Sequence, residues 1–288
     1  MYWTLEMTDP LLEVRNLRVA YPSAHGYSDA LRGISFTLGR EKLGIVGESG
    51  SGKSTAGRAI MRLLPPKARV TADALRLSGF DLLGASERQM RDIRGGRIAM
   101  ILQDPRYALN PLKTVGAQIM ESYRIHIKGS RAEARDRMLA MLEDVRIRDP
   151  RRVTGLYPHE LSGGMGQRVM IAMMLIPSPE LVIADEPTSA LDVTVRGQIL
   201  DVLNERVEAQ GAGLILISHD LPLVSDFCDR VLVMYGGQIM EELAAHDLSQ
   251  ASHPYTIALN ASLPPLDHAV DELIVPEYDP SWMTEAPK

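Results

Sequence analysis

The run Gly47-Glu48-Ser49-Gly50-Ser51-Gly52-Lys53-Ser54, followed by Thr55, constrains this chain more than any other stretch. It matches the pattern G-x-x-x-x-G-K-[ST], and its setting agrees with the match. Leu43-Gly44-Ile45-Val46 ahead of it reads as a short buried strand, and Thr55 to Leu64 behind it as a helix stopped by Pro65-Pro66. Such a turn aims backbone N–H groups and the positive end of a helix at one point, which suits a polyphosphate. Gly50 and Gly52 allow close backbone approach, and Lys53 has the reach for the β- and γ-phosphates of a nucleotide. The Ser54 hydroxyl is placed to complete a Mg²⁺ shell. Unrelated nucleotide-hydrolysing proteins share such a loop, so it specifies a nucleotide site without naming the machine around it.

The 288 residues suffice for one large or two modest domains with a sizeable core. Hydrophobic residues make up 45% and charged residues 24%, as in an ordinary globular protein, and the net charge of −6 argues against an extended nucleic-acid surface. The one cysteine, Cys228, permits no internal disulfide and no cysteine-built metal cluster, which fits a reducing compartment. Its place in Leu223-Val224-Ser225-Asp226-Phe227-Cys228 predicts a buried helical thiol. No basic n-region followed by an apolar stretch opens the chain, and no run of about 20 apolar residues follows. Any membrane role is therefore expected to come through a partner.

Residues 1–10 read as a loose leader. Leu12-Glu13-Val14-Arg15 and Leu17-Arg18-Val19-Ala20-Tyr21 alternate as half-buried strands, Pro22 to Asp29 reads as a turn-rich loop, and Ala30 to Leu38 resumes strand character. Tyr21 is thus a ring that could stack on adenine, although a lone aromatic is more often core. Ala74-Leu75-Arg76-Leu77 reads as a strand and Ser78-Gly79-Phe80-Asp81 as a turn. From about Glu87 to Ile176 the texture is mainly helical, with a capping-box form at Ser130-Arg131-Ala132-Glu133. Met138 and Met141 there read as core filling. Val231 to Met240 reads as a hairpin turning at Gly236-Gly237, and the tail from Ala244 is proline-dotted and ends acidic.

Four further places carry chemistry. Arg97-Ile98-Ala99-Met100-Ile101-Leu102 is a strand that delivers Gln103 to a loop, where an amide can touch a metal-bound water or simply cap the loop. Leu161-Ser162-Gly163-Gly164-Met165-Gly166-Gln167 is a glycine-paired turn opening into a helix, a second anion-binding N-terminus without a lysine of its own. Leu181-Val182-Ile183-Ala184 is an apolar strand ending in Asp185-Glu186. Two acids closing a buried strand are costly unless employed, Asp185 on Mg²⁺ through water and Glu186 on the attacking water. Leu214-Ile215-Leu216-Ile217 ends at Ser218-His219-Asp220, which brings His219 to the same strand edge as a candidate γ-phosphate contact.

Taken together these segments resemble an ATP-binding cassette ATPase over roughly residues 11–242, in the family's motif order. The resemblance makes Gln103 the start of the glutamine loop, Leu161 to Gln167 the signature, Ser189 to Asp192 the aspartate loop, His219 the switch histidine and Tyr21 the adenine-stacking position. Gln103-Asp104-Pro105, Leu109-Asn110-Pro111 and His253-Pro254-Tyr255-Thr256 are similar to cassettes of oligopeptide, dipeptide, nickel and opine-type importers. Gly166 departs from the arginine usual there, and Cys228 alone cannot build the cysteine cluster that many such relatives carry.

The resemblance implies an α/β fold: a P-loop NTPase, RecA-like core with an antiparallel β subdomain and a helical subdomain at about 87–176. The cassette would span 11–243 and a C-terminal extension 244–288. It implies ATP and Mg²⁺ as ligands, with ATP held between one chain's Gly47–Thr55 and Ser162, Gly163 and Gly164 of a second cassette, and with Asp192 as a further nucleotide-binding residue. It also implies two integral membrane permeases, a second and non-identical cassette, an extracytoplasmic solute-binding protein, no nucleic acid, and a peripheral place on the cytoplasmic face of the cell membrane. A soluble cassette acting on DNA or ribosomes, or an exporter motor, is the alternative. The short region between phosphate loop and signature, without sustained heptads, and the importer-like stretches weigh against both.

Overall fold

The computed structural model describes residues 10–189, 191, 193–262 and 279–283, and the chain divides into two units, 1–85 with 217–288, and 86–216. The expected leader, apart from Pro10, and Asp192 lie outside the described residues.

The first unit begins with a long hairpin, β1 (Leu12–Ser23) against β2 (Gly26–Leu38). The expected loop at Pro22 to Asp29 is overturned: Tyr21 pairs with Ser28, Pro22 with Tyr27 and Ser23 with Gly26, so only Ala24 and His25 turn. Pro and Gly suggested a loop by composition, yet the ladder tolerates both beside a tight turn. The two short strands expected before it are one strand with a bulge. Asn16 sits at φ 50°, and the buried positions change phase from Leu12 and Val14 to Leu17 and Val19. β5 (Ala74–Leu77) extends this antiparallel sheet beyond β1, followed by β6 (Phe80–Asp81), while β4 (Arg69–Thr71) pairs with β1 further along.

In the same unit β3 (Lys42–Val46) runs parallel to β10 (Arg230–Tyr235), which pairs antiparallel with β11 (Gln238–Ala244) in the expected hairpin. After β3 comes the phosphate loop and then α1 (Lys53–Ile60), which ends short of the expected Leu64; Arg62 at φ 51° has already left the helical path. α8 (Leu221–Phe227) is capped by Asp220, and α9 (Pro254–Ala261) by His253. The predicted helical thiol of Cys228 sits instead at the C-cap of α8, 9% exposed, where burial pushes its pKa up to about 12.

The second unit holds α2 (Glu87–Ile93), β7 (Ile98–Ile101), α3 (Val115–His126), α4 (Arg131–Asp144), α5 (Pro150–Val153), α6 (Gly163–Leu175), β8 (Leu181–Asp185) and α7 (Val193–Gln210). β7 and β8 run parallel, Ile98 beside Leu181 and Ile101 beside Ala184, and all five residues of β8 are buried. An uninterrupted apolar run is what burial on both faces requires. β9 (Gly213–Ile217) returns the chain to the first unit at its last residue. α6 buries Val169, Met170, Ile171, Ala172 and Leu175, and Ser122 Oγ ties α3 to it by donating to the Met173 carbonyl at 2.8 Å. Ser130 caps α4 as the sequence predicts, accepting from Glu133 N–H at 3.1 Å, but the Glu133 carboxylate accepts from Tyr123 Oη at 3.0 Å. Met138 and Met141 fill core, 4% and 8% exposed. Among the described residues no helix is long and apolar enough to cross a membrane.

Candidate nucleotide site

The first unit carries the phosphate loop. Gly47, at φ 143°, lies so close to β10 that a Cβ there would stand 2.1 Å from the Met234 carbonyl oxygen, so only glycine fits. Gly52, at φ 103°, is the N-cap of α1; it offers no side-chain cap, and the first turn contains no acid. A helix start left in this form favours an anion. Lys53 is 7% exposed, and its ammonium donates to the carbonyls of Gly47 at 2.8 Å and Glu48 at 2.7 Å. The loop thus folds over its own cation. Ser51, buried beneath it, accepts the Gly237 N–H on its carbonyl at 3.1 Å, while Arg32 N–H donates to the Gly237 carbonyl at 2.8 Å. The β10–β11 turn is thereby pinned between the phosphate loop and β2.

Glu48, Ser49 and Gly50 form the exposed crest, and Ser54 and Thr55 are half-buried behind it. His219 is exposed one residue past Ser218, whose N–H donates to the Ile45 carbonyl at 3.1 Å. Tyr21 is half-buried in β1, two residues before the strand's end.

The second unit carries the acids and the signature. β8 ends at Asp185, 5% exposed, and Glu186 leaves the strand at φ 49°. A non-glycine residue held in the left-handed region is costly, and such positions concentrate where function fixes the backbone. The turn beyond is closed by Ser189, whose N–H and hydroxyl both donate to the Glu186 carbonyl at 3.3 Å. Gln103 is exposed just beyond β7, in a loop where Asp104 caps a short turn by accepting from Arg106 N–H at 2.9 Å.

The helix expected after the turn of Leu161 to Gln167 begins within it, at Gly163, with Ser162 as N-cap accepting from Met165 N–H at 3.4 Å. Ser162 and Gly163 are exposed and Gly164 is half-buried, its missing Cβ 3.1 Å from Val195 Cγ1. Gly166 faces Pro105, where a Cβ would lie 3.2 Å from the ring, a tight approach between α6 and the loop after Gln103. Gln167, 1% exposed, donates from Nε2 to the Pro187 carbonyl at 2.6 Å and towards that of Leu102 at 3.5 Å. It joins the loop after the acids, the signature helix and the glutamine loop in one unit.

Sequence reasoning missed Tyr255 and Gln167. Tyr255 Oη accepts the Glu48 N–H at 3.1 Å across 207 residues of chain, a contact that no local spacing signals. Gln167 ended the signature stretch without a role, and only its place on the buried face of α6 gives it one.

A parallel-stranded nucleotide unit beside an antiparallel sheet, with a helical segment carrying the signature, defines a cassette ATPase. A family model described as ABC transporter matches residues 31–189. The chain is 50% identical over 89% of its length to a protein named as a probable peptide ABC transporter ATP-binding protein, y4tR, of Sinorhizobium fredii, covering 77% of that protein. It is 45% identical over 96% of its length to the oligopeptide transport ATP-binding protein OppD of Salmonella typhimurium, covering 83% of it. Among solved structures, the dimeric bacterial ABC transporter cassette MJ0796 superposes with a TM-score of 0.73 at 26% identity, over 81% of this chain and 98% of that one. The same cassette in a post-hydrolysis state bound to ADP and Pi gives 0.70 at 27% identity, with the same coverage. The chain belongs to the ABC transporter family and is an ATP-binding, ATP-hydrolysing cassette.

Proposed function

We propose that this chain is the ATP-hydrolysing subunit of an importer that takes up peptides or similar small solutes, acting in a cassette dimer on the cytoplasmic face of the cell membrane. The observation that supports peptide import best is the extent of the OppD likeness, which reaches across 96% of the chain and so includes its C-terminal segment. The loop after Gln103 adds a surface for a partner: Tyr107 and Leu112 are each 85% exposed, large apolar groups that a membrane permease's cytoplasmic segment could cover. The partners assigned to it are two integral permeases, a second and non-identical cassette, and an extracytoplasmic solute-binding protein.

Within the cassette, Lys53 and the N–H groups of Gly50 to Thr55 hold the β- and γ-phosphates, and Tyr21 stacks on adenine. The hydroxyl of Ser54, the carboxylate of Asp185 and the amide of Gln103 are hard oxygen donors, the set that suits Mg²⁺. Mg²⁺, when bound, neutralises charge on the phosphates. Glu186 takes the proton of the attacking water. His219 contacts the γ-phosphate. Ser162, Gly163 and Gly164 serve the nucleotide of the second cassette, and Asp192 is a further nucleotide-binding residue.

The test is the protein set that copurifies with Glu186→Gln in ATP from detergent-solubilised native membranes, read by mass spectrometry. Two integral permeases and a second cassette are expected. Ribosomal or DNA-repair proteins without permeases would overturn the importer reading and leave the ATPase standing.

A further inference from the structure

The C-terminal segment grips the phosphate loop from below. Glu241 in β11, 5% exposed, accepts from Ser252 N–H at 2.7 Å, from Ser252 Oγ at 2.9 Å and from His253 N–H at 3.3 Å. That anchors the start of α9, where His253 Nδ1 accepts the Tyr255 N–H at 3.2 Å and Pro254 occupies the first turn. Tyr255, 3% exposed, then packs at a tilt against Tyr235 at 4.5 Å between ring centroids and against Trp282 at 5.4 Å, and Tyr235 meets Trp282 edge-on at 5.5 Å. Met283 closes the far side beneath Gly236, where a Cβ would stand 3.0 Å from its methyl carbon. Three rings locked in this way leave the Tyr255 hydroxyl little freedom. It meets the Glu48 N–H at 3.1 Å.

The peptide so held is the one whose carbonyl, on Gly47, accepts the Lys53 ammonium at 2.8 Å. One amide plane is therefore fixed at both ends, by a cation that belongs to the nucleotide site and by a ring that does not. The orientation of this plane sets where the exposed crest of the loop points. We propose that Tyr255 is a positioning residue for ATP: its hydroxyl holds the Gly47–Glu48 peptide so that the loop meets the phosphates already arranged, and the C-terminal segment serves as a brace for the nucleotide site. Burial pushes the Tyr255 pKa up to about 12, so the hydroxyl stays protonated at physiological pH.

The test is Tyr255→Phe in the whole 288-residue chain, which keeps the ring cluster and removes one oxygen. Three quantities are read: the Kd for MgATP by calorimetry, amide hydrogen exchange in the phosphate-loop peptide, and the melting temperature. The expected result is a Kd raised about three- to tenfold, the effect of one lost hydrogen bond on a preorganised site. Exchange is expected to quicken in the loop and not across the rest of the unit. A Kd within about twofold of the parent chain overturns the proposal. So does weaker binding accompanied by faster exchange throughout the unit and a lowered melting temperature, because that pattern reports general loosening.

Discussion

Gln167 donates to the Pro187 carbonyl at 2.6 Å, so the signature helix holds the residue that follows Glu186. Within one unit, the segment assigned to a neighbouring cassette's nucleotide and the acid assigned to this chain's own nucleotide are mechanically linked. A change in one has a short covalent and hydrogen-bonded route to the other.

Gln167→Leu keeps the bulk and removes the donor. The carbonyls of Pro187 and Leu102 then lose a buried partner, at a cost of about 1–3 kcal/mol in stability. ATP affinity is expected to hold while turnover falls several-fold, since Glu186 loses the support of its neighbour. Turnover equal to the parent's, measured at saturating ATP, would remove the link.

Lys53→Ala takes away a charge-assisted contact to phosphate, of the kind worth about 1.5–3 kcal/mol. Affinity for ATP by calorimetry should drop by roughly ten- to a hundredfold. Unchanged affinity would count against the phosphate loop as the nucleotide site.

Glu241 supplies a pH dependence. Burial opposes its ionisation, but the N–H groups of Ser252 and His253, with the Ser252 hydroxyl, outweigh that and hold its pKa below the ordinary 4.5. The sign follows: a carboxylate with a lowered folded pKa stabilises the fold above the unfolded value and loses that contribution as the pH falls through the folded one. Denaturant titrations should therefore show stability declining below about pH 4.5, with Glu241→Gln less stable at pH 7 by about 1–3 kcal/mol and flatter on the acid side. An unchanged acid limb in the variant would show that another group governs it.

The phosphate loop, the acidic strand and the signature were legible because each is a local pattern whose geometry follows from adjacent residues. The strand break at Asn16 was readable only as an interruption, since a bulge shifts phase without changing composition. Pro22 to Asp29 misled for the converse reason: turn-forming residues continued a ladder whose partner strand fixed them. Glu186 stands out in the sequence as an acid closing an apolar strand, but its left-handed backbone is a property of the turn closed by Ser189. Tyr255 entered only as part of a subgroup motif. Its contact with Glu48 depends on β11, the start of α9 and residues 279–283 packing around one ring, and such long-range convergence leaves no periodic trace.

The central claim, that this cassette hydrolyses ATP with Glu186 as base, is tested most directly by Glu186→Gln. Binding and single-turnover hydrolysis of ATP would be measured on the same preparation. The account predicts a Kd within about twofold of the parent chain and hydrolysis slowed at least about a hundredfold, the lower end of what a general base contributes. Hydrolysis at near the parental rate would contradict it, and would place the base elsewhere.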